Sequence, residues 1–135
     1  MNMTEDPLDV LFEEEKVDEK MIKQIIGEIL VNYVRLSQDG GIFPLPEFDN
    51  LNRFQKLLIY LLAKKALYVR QLVVNELTPP SEIRKNTGLP MGTVNPSLRQ
   101  LERDRLVKSD LGRYKIPNYA LNKIKTQFQV AEVYK

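Results

Sequence analysis

The sequence contains no cysteine and no histidine among its 135 residues. Without cysteine the chain can form no disulfide, zinc ribbon or iron–sulfur cluster, and it has no thiol nucleophile. Without histidine it lacks an imidazole base, a Ser-His triad and the usual nitrogen ligands of a transition metal. Most enzyme classes therefore become remote, and we expect a non-catalytic protein that uses no metal and no cofactor.

Long apolar runs are also scarce. The longest one, residues 57–63, is far shorter than the roughly 20 residues of a membrane span, and two lysines follow it directly. The N-terminus is acidic and lacks the basic start and apolar centre of a signal peptide. We therefore expect a cytoplasmic protein that makes no contact with a membrane.

Acidic and basic residues nearly balance over the whole chain, but they are unevenly distributed along it. Residues 1–20 contain eight acids and two bases, and residues 78–135 contain five acids and eleven bases. The C-terminal half is therefore the basic part of the molecule. Because a basic surface attracts polyanions, this gradient favours a nucleic acid as the partner of that half.

Helical periodicity predicts two long helices in the first half of the chain. Apolar residues recur at helical spacing over 17–36, and again in a helix that Asp49 or Asn50 can cap and that continues to about Glu76. Between these helices, Pro44 and Pro46 predict an extended connector over 41–48 that is not helical. Residues 1–16 are interpreted as an acidic, flexible tail that could contact a protein partner, and residues 17–135 as one mostly α-helical domain.

The next segment has the features of a helix-turn-helix. Thr78 is positioned to cap a short helix, Pro79 suits its first position, and Gly88 can end it in the left-handed conformation. A second helix is predicted to begin near Met91. Its apolar face comprises Val94, Leu98 and Leu101. Two short helices joined through a glycine turn form a helix-turn-helix.

A β-hairpin is predicted directly after the second helix. Residues 106–109 and 113–116 have strand character and flank a turn at 110–112. Alternation along the second strand places Tyr114 and Ile116 toward the core and Arg113 and Lys115 outward. This combination predicts a winged helix over about 54–117, with a three-helix core and a small wing. A C-terminal helix is expected over about 118–131.

These residues resemble the winged helix-turn-helix domains of MarR-like and ArsR-like transcription regulators. The resemblance spans about 57–116 and rests on Thr78, 81–83, 87–89, 92–94, Leu98, 101–102 and 106–107. Two positions depart from the pattern, because Arg105 stands where many members have glycine and Pro96 lies inside the second helix. The resemblance implies that the first turns of the second helix read bases and that the wing touches the DNA backbone or minor groove.

A helical wheel identifies the face of the second helix that is expected to contact double-stranded DNA. It carries hydroxyl, amide and guanidinium groups, which are the groups that read base edges and phosphates. The predicted DNA contacts are Gly92, Thr93, Asn95, Pro96, Ser97, Arg99, Gln100 and Arg103 on this helix, Arg84 and Lys85 on the preceding helix, and Arg113 and Lys115 on the wing. For each basic residue the alternative is an ordinary solvated surface charge.

The terminal helices carry more apolar positions than a small winged helix can cover. They can pack on each other within one chain, form a homodimer interface of the kind that the MarR-like resemblance implies, or do both. The predicted interface residues are Ile25, Ile29, Tyr33, Leu121, Ile124 and Phe128. The leading function is a sequence-specific, dimeric DNA-binding regulator of transcription. The alternative is a winged-helix protein-interaction module within a larger nucleic-acid-processing or transcription complex.

Overall fold

The computed structural model describes Leu8 and residues 19–133, with side chains up to Phe128. The acidic tail predicted for residues 1–16 therefore lies outside the described residues, apart from Leu8. Within the described part the fold is mostly helical, as predicted. The elements are α1 (Glu19–Leu30), β1 (Val34–Leu36), β2 (Ile42–Pro44), a 3-10 helix (Pro46–Asn50), α2 (Arg53–Val69), α3 (Pro80–Thr87), α4 (Met91–Arg103), β3 (Lys108–Asp110), β4 (Arg113–Lys115), a second 3-10 helix (Asn118–Ala120) and α5 (Leu121–Val133).

Helix α2 is the centre of the core. All seven residues of its apolar run, 57–63, are buried, and the helix packs against α1, α3, α4 and β4. Fully burying one leucine or isoleucine side chain stabilises a fold by about 1.5–3 kcal/mol. The run that is too short for a membrane span therefore holds the domain together. Within residues 19–133 no helix is both long and apolar enough to cross a membrane.

Helices α1 and α5 pack against each other within one chain. The Tyr33 ring lies 5.7 Å from the Phe128 ring, and the Lys125 ammonium lies 3.1 Å from the Glu28 carboxylate. The hydrogen bond that Lys125 donates to Glu28, together with the positive charge of Lys125, holds the pKa of Glu28 below its ordinary value. The residues proposed as a dimer interface are consequently core residues. Ile25, Ile29, Leu121, Ile124 and Phe128 are buried, and Tyr33 packs against them.

The first helix is shorter than predicted, and the connector after it is more regular. Helix α1 ends at Leu30 rather than near Leu36, because Val34–Leu36 pairs antiparallel with Ile42–Pro44. Gly40, with a φ of +90°, lies in the turn between the strands. Residues Pro46–Asn50 form a 3-10 helix, so the prediction of a wholly non-helical connector was wrong there. Pro46 is tolerated at its first position, where a backbone donor is not needed.

Helix α2 also begins and ends differently from the prediction. Asn52, not Asp49 or Asn50, caps it, and Asn52 and Gln55 satisfy each other's backbone amides in a capping box. The helix ends at Val69 because Gln71 adopts a left-handed conformation with a φ of 63°. The amide of Leu72 then donates to the Leu67 carbonyl and closes the end in a Schellman motif.

Candidate nucleic-acid interface

The two helices that were predicted as a helix-turn-helix are present, and they are joined where the sequence indicated. Helix α3 ends at Gly88, whose φ of 76° is left-handed, and α4 begins at Met91. The predicted apolar face of α4 is buried against α2 and α3. It comprises Val94, Leu98 and Leu101. With that face inward, the opposite side of α4 must face solvent.

The start of α3 differs in detail from the prediction. Pro79 is the N-cap residue and Pro80 occupies the first turn, whereas Thr78 does not cap the helix. Thr78 is fully buried, its backbone pairs with Tyr114 of β4, and its hydroxyl donates to the Glu76 carbonyl. The paired backbone of Thr78 extends the hairpin and ties it to the start of α3.

A polar cluster locks α3 onto α2. The hydroxyl of Tyr60 donates to a Glu82 carboxylate oxygen at 2.7 Å, and the Lys64 ammonium lies 3.1 Å from the same oxygen. Burial raises the pKa of Tyr60, and the Glu82 carboxylate that accepts its hydrogen bond raises it further. The orientation of α3 is therefore held by a charged hydrogen-bond network as well as by Ile83 in the core.

Arg105 replaces the expected glycine at the end of α4 by adopting the glycine conformation itself. Its φ is 64°, and the amide of Leu106 donates to the Leu101 carbonyl at 2.9 Å. This Schellman closure brings Leu106 and Val107 into the core. The first strand consequently starts at Lys108, two residues later than predicted.

The hairpin is fixed to the end of α4. The Ser109 hydroxyl donates to the Glu102 carboxylate at 2.6 Å, so the β3–β4 hairpin lies on the flank of α4 that carries Glu102. Lys108 lies opposite Lys115 in the antiparallel register. Two like charges in direct opposition are unfavourable unless a counter-charge binds to them. Lys115 was among the predicted DNA contacts and Lys108 was not, because only the register of the hairpin shows that the two lysines are paired.

The exposed face of α4 matches the helical wheel at every predicted position but one. Gly92, Pro96, Arg99 and Arg103 are exposed, and Thr93, Asn95 and Gln100 are half-buried. Ser97 is the exception, since it is only 3% exposed. The reason is angular, since residue 97 is three positions after Val94 and therefore lies beside it on the inner side of the helix.

The two arginines on this face are not neutralised by the rest of the described chain. Arg103 donates to the Gln100 side chain at 2.7 Å, and Gln100 in turn donates to Asp104 at 3.2 Å. Within residues 19–128, no carboxylate lies within 4.0 Å of the guanidinium of Arg99 or Arg103. Both charges therefore remain available to an external anion.

Pro96 does not interrupt the helix. Helix α4 runs without a break from Met91 to Arg103 through this residue. The missing amide of Pro96 leaves the carbonyl of Gly92 without its intrahelical donor. The exposed ring sits in the middle of the face, so close approach there depends on van der Waals contact rather than on hydrogen bonding.

The remaining predicted basic residues surround α4. Arg84 and Lys85 are exposed on α3, and Arg113 and Lys115 are half-buried on β4. The structure also brings in a residue that the sequence analysis missed. Arg53, at the start of α2, lines a depression beside α4. It lies 50 positions before Arg103, which lines the same depression, and no local pattern signals that they are neighbours.

No cluster of histidine, cysteine, aspartate or glutamate side chains in the described part of the chain is arranged to hold a metal ion. Comparison with known proteins finds no matching family model, no matching curated protein and no matching solved structure. The residues of the site are therefore the basis for any functional assignment.

Proposed function

We propose that this protein is a winged helix-turn-helix regulator that binds duplex DNA through α4 and acts without catalysis. The observation that carries the proposal is the exposed face of α4, where Arg99 and Arg103 have no carboxylate partner among the described residues. Arginine recognises guanine edges in the major groove and phosphates beside it. Duplex DNA offers both kinds of acceptor to the groups on this face.

The surroundings of α4 support the same partner. The helix is supported from behind by α2 and α3, and β3 and β4 lie along one flank. Lys108 and Lys115 on that hairpin repel each other, and a phosphate placed near them relieves the repulsion. In this interpretation Asn95 and Arg99 read bases, while Lys115 contacts the backbone.

The test combines selection with salt titration. Duplexes that the protein retains from genomic fragments are compared with random duplexes by fluorescence anisotropy over a range of salt concentrations. One phosphate contact contributes about 0.9 to the slope of log K against log salt. If each of the six basic residues predicted on α3, α4 and the wing contacts one phosphate, the slope for one chain is about −5. Lys115→Ala should weaken all duplexes alike and lower the slope by about one.

A base-reading residue behaves differently. Asn95→Ala and Arg99→Ala should cost about 1–3 kcal/mol on the selected site and little on random DNA. The matched control is Lys23→Ala with Arg70→Ala, which removes two positive charges far from α4. If Arg99→Ala with Arg103→Ala binds DNA as tightly as that control, the proposal is refuted. The alternative of a winged-helix protein-interaction module then takes its place.

The homodimer and its cytoplasmic setting stay predictions. Because five of the six residues first proposed for the interface are buried within one chain, we expect a dimer to use a different surface. Sedimentation equilibrium at tens of micromolar checks this prediction, and a mass of 15.7 kDa at that concentration contradicts it. The predicted contact of the acidic tail with a protein partner concerns residues outside those described.

A further inference from the structure

The start of α2 and the flank of α4 enclose an open depression of about 440 Å³. Arg53 and Phe54 line it from α2, and Thr93, Gln100 and Arg103 line it from α4. No acidic residue lines this depression. Two guanidinium groups, an amide and a hydroxyl therefore share one concave surface.

Arg53 is held in place for an external acceptor. Its guanidinium carbon lies 4.5 Å from the centre of the Phe54 ring, and such stacking leaves the in-plane N–H groups free to donate. Arg53 has no carboxylate partner in the described ranges. The amides at the start of α2 are partly satisfied by the capping box of Asn52 and Gln55, so the donors that face the depression are side chains.

The depression and the wing lie on opposite flanks of α4. Thr93 and Gln100 face the depression, whereas Glu102 faces Ser109 of the wing. At 100° per residue, two positions correspond to about 200°, so Gln100 and Glu102 lie on nearly opposite sides of the helix. A helix lying in the major groove has one DNA strand on each side.

We infer that this depression binds a backbone phosphate of the DNA strand opposite to the strand beside the wing, with Arg53 as the principal donor. A planar guanidinium donates two parallel hydrogen bonds to one phosphate, which suits a diester group held in a fixed position. This inference rests on the proposed function. It adds a second backbone anchor, and two anchors on opposite flanks fix the position of α4 in the groove.

The test measures duplex affinity against salt for the full chain and for Arg53→Gln. The matched control is Arg70→Gln, which removes the same charge at the other end of α2. That residue is about 25 Å away along the helix axis, several Debye lengths at physiological salt. Because one phosphate contact is worth about 0.9 in the slope, Arg53→Gln should bind about eightfold more weakly at 0.1 M salt and lose about one unit of slope. Arg70→Gln should match wild type.

Further measurements separate the possible failures. Arg53→Lys keeps the positive charge and should retain most of the slope of log K against log salt. If Arg53→Lys loses as much slope as Arg53→Gln, Arg53 has a packing role and the inference is overturned. Equal behaviour of Arg53→Gln and Arg70→Gln overturns it as well, while leaving the DNA-binding proposal intact. Absence of salt-dependent binding by wild type refutes that proposal and the inference with it. Saturable binding of inorganic phosphate, abolished by Arg53→Gln and unaffected by added duplex, would identify a site for the free ion instead.

Discussion

The buried ion pair between Lys65 and Glu76 offers a direct test of how the second half of the domain is held to α2. The Lys65 ammonium lies 2.9 Å from a Glu76 carboxylate oxygen, and the two side chains are only 4% and 10% exposed. Glu76 immediately precedes the segment that pairs with β4 and leads into α3. Glu76→Ala leaves the ammonium buried without this partner. That change typically costs 3–5 kcal/mol, because the buried ammonium loses the opposite charge that Glu76 supplies against its desolvation.

Urea unfolding followed by circular dichroism at pH 7 measures the effect. A domain of this size is stabilised by about 5–15 kcal/mol, so a loss of about 3–5 kcal/mol removes a large part of its stability. With an m-value of about 1–3 kcal/mol per molar urea, the midpoint should fall by at least about 1 M. The matched control is Glu19→Ala at the exposed Lys23–Glu19 pair, which should cost less than about 0.5 kcal/mol.

A double replacement distinguishes the loss of charge compensation from the loss of packing. Lys65→Met with Glu76→Leu removes both charges and keeps most of the buried volume, so it should recover most of the stability that Glu76→Ala loses. A cost below about 1 kcal/mol for Glu76→Ala would show that water reaches the ammonium and that the reasoning is wrong. A double variant as unstable as the single one would also refute it.

Three further predictions concern single residues. Arg105→Gly should raise the free energy of unfolding by about 1 kcal/mol, since glycine adopts a φ of 64° without the Cβ penalty that arginine incurs. Thermal unfolding measures this change, and a fall in Tm contradicts the prediction. Because the pKa of Tyr60 is raised on folding, the unfolded chain releases its proton first and stability should decline above about pH 10. Urea titrations from pH 9 to 11 should show a flatter decline for Tyr60→Phe, and an unchanged slope argues against the hydrogen bond to Glu82. Phe128→Asp should unfold the chain rather than yield a folded monomer, because the ring is buried within one protomer; circular dichroism together with sedimentation decides this.

Local patterns were sufficient for the elements that surround the candidate interface. The period of Val94, Leu98 and Leu101 predicted α4 and its inner face, and Gly88 marked the end of α3. These predictions succeeded because helical periodicity and a left-handed glycine are properties of short segments. The winged-helix assignment and DNA binding stay proposals.

The predicted helix boundaries were wrong where a segment outside the helix competed for the backbone. Helix α1 stops at Leu30 because Val34–Leu36 pairs with Ile42–Pro44. Thr78 pairs with Tyr114 instead of capping α3. In each case a hydrogen-bond partner outside the predicted helix outweighed the helical preference, six to ten residues away for β1 and 36 residues away for Thr78.

The sequence by itself determined the amphipathic helices, the basic character of the C-terminal half and the outward face of α4, because charge and periodicity are local. The tertiary structure alone decided that the apolar faces of α1 and α5 cover each other within one chain and that Arg53 lies beside α4. Each of these depends on how elements that are distant along the chain pack, and packing is set by the shape of whole surfaces rather than by any one segment.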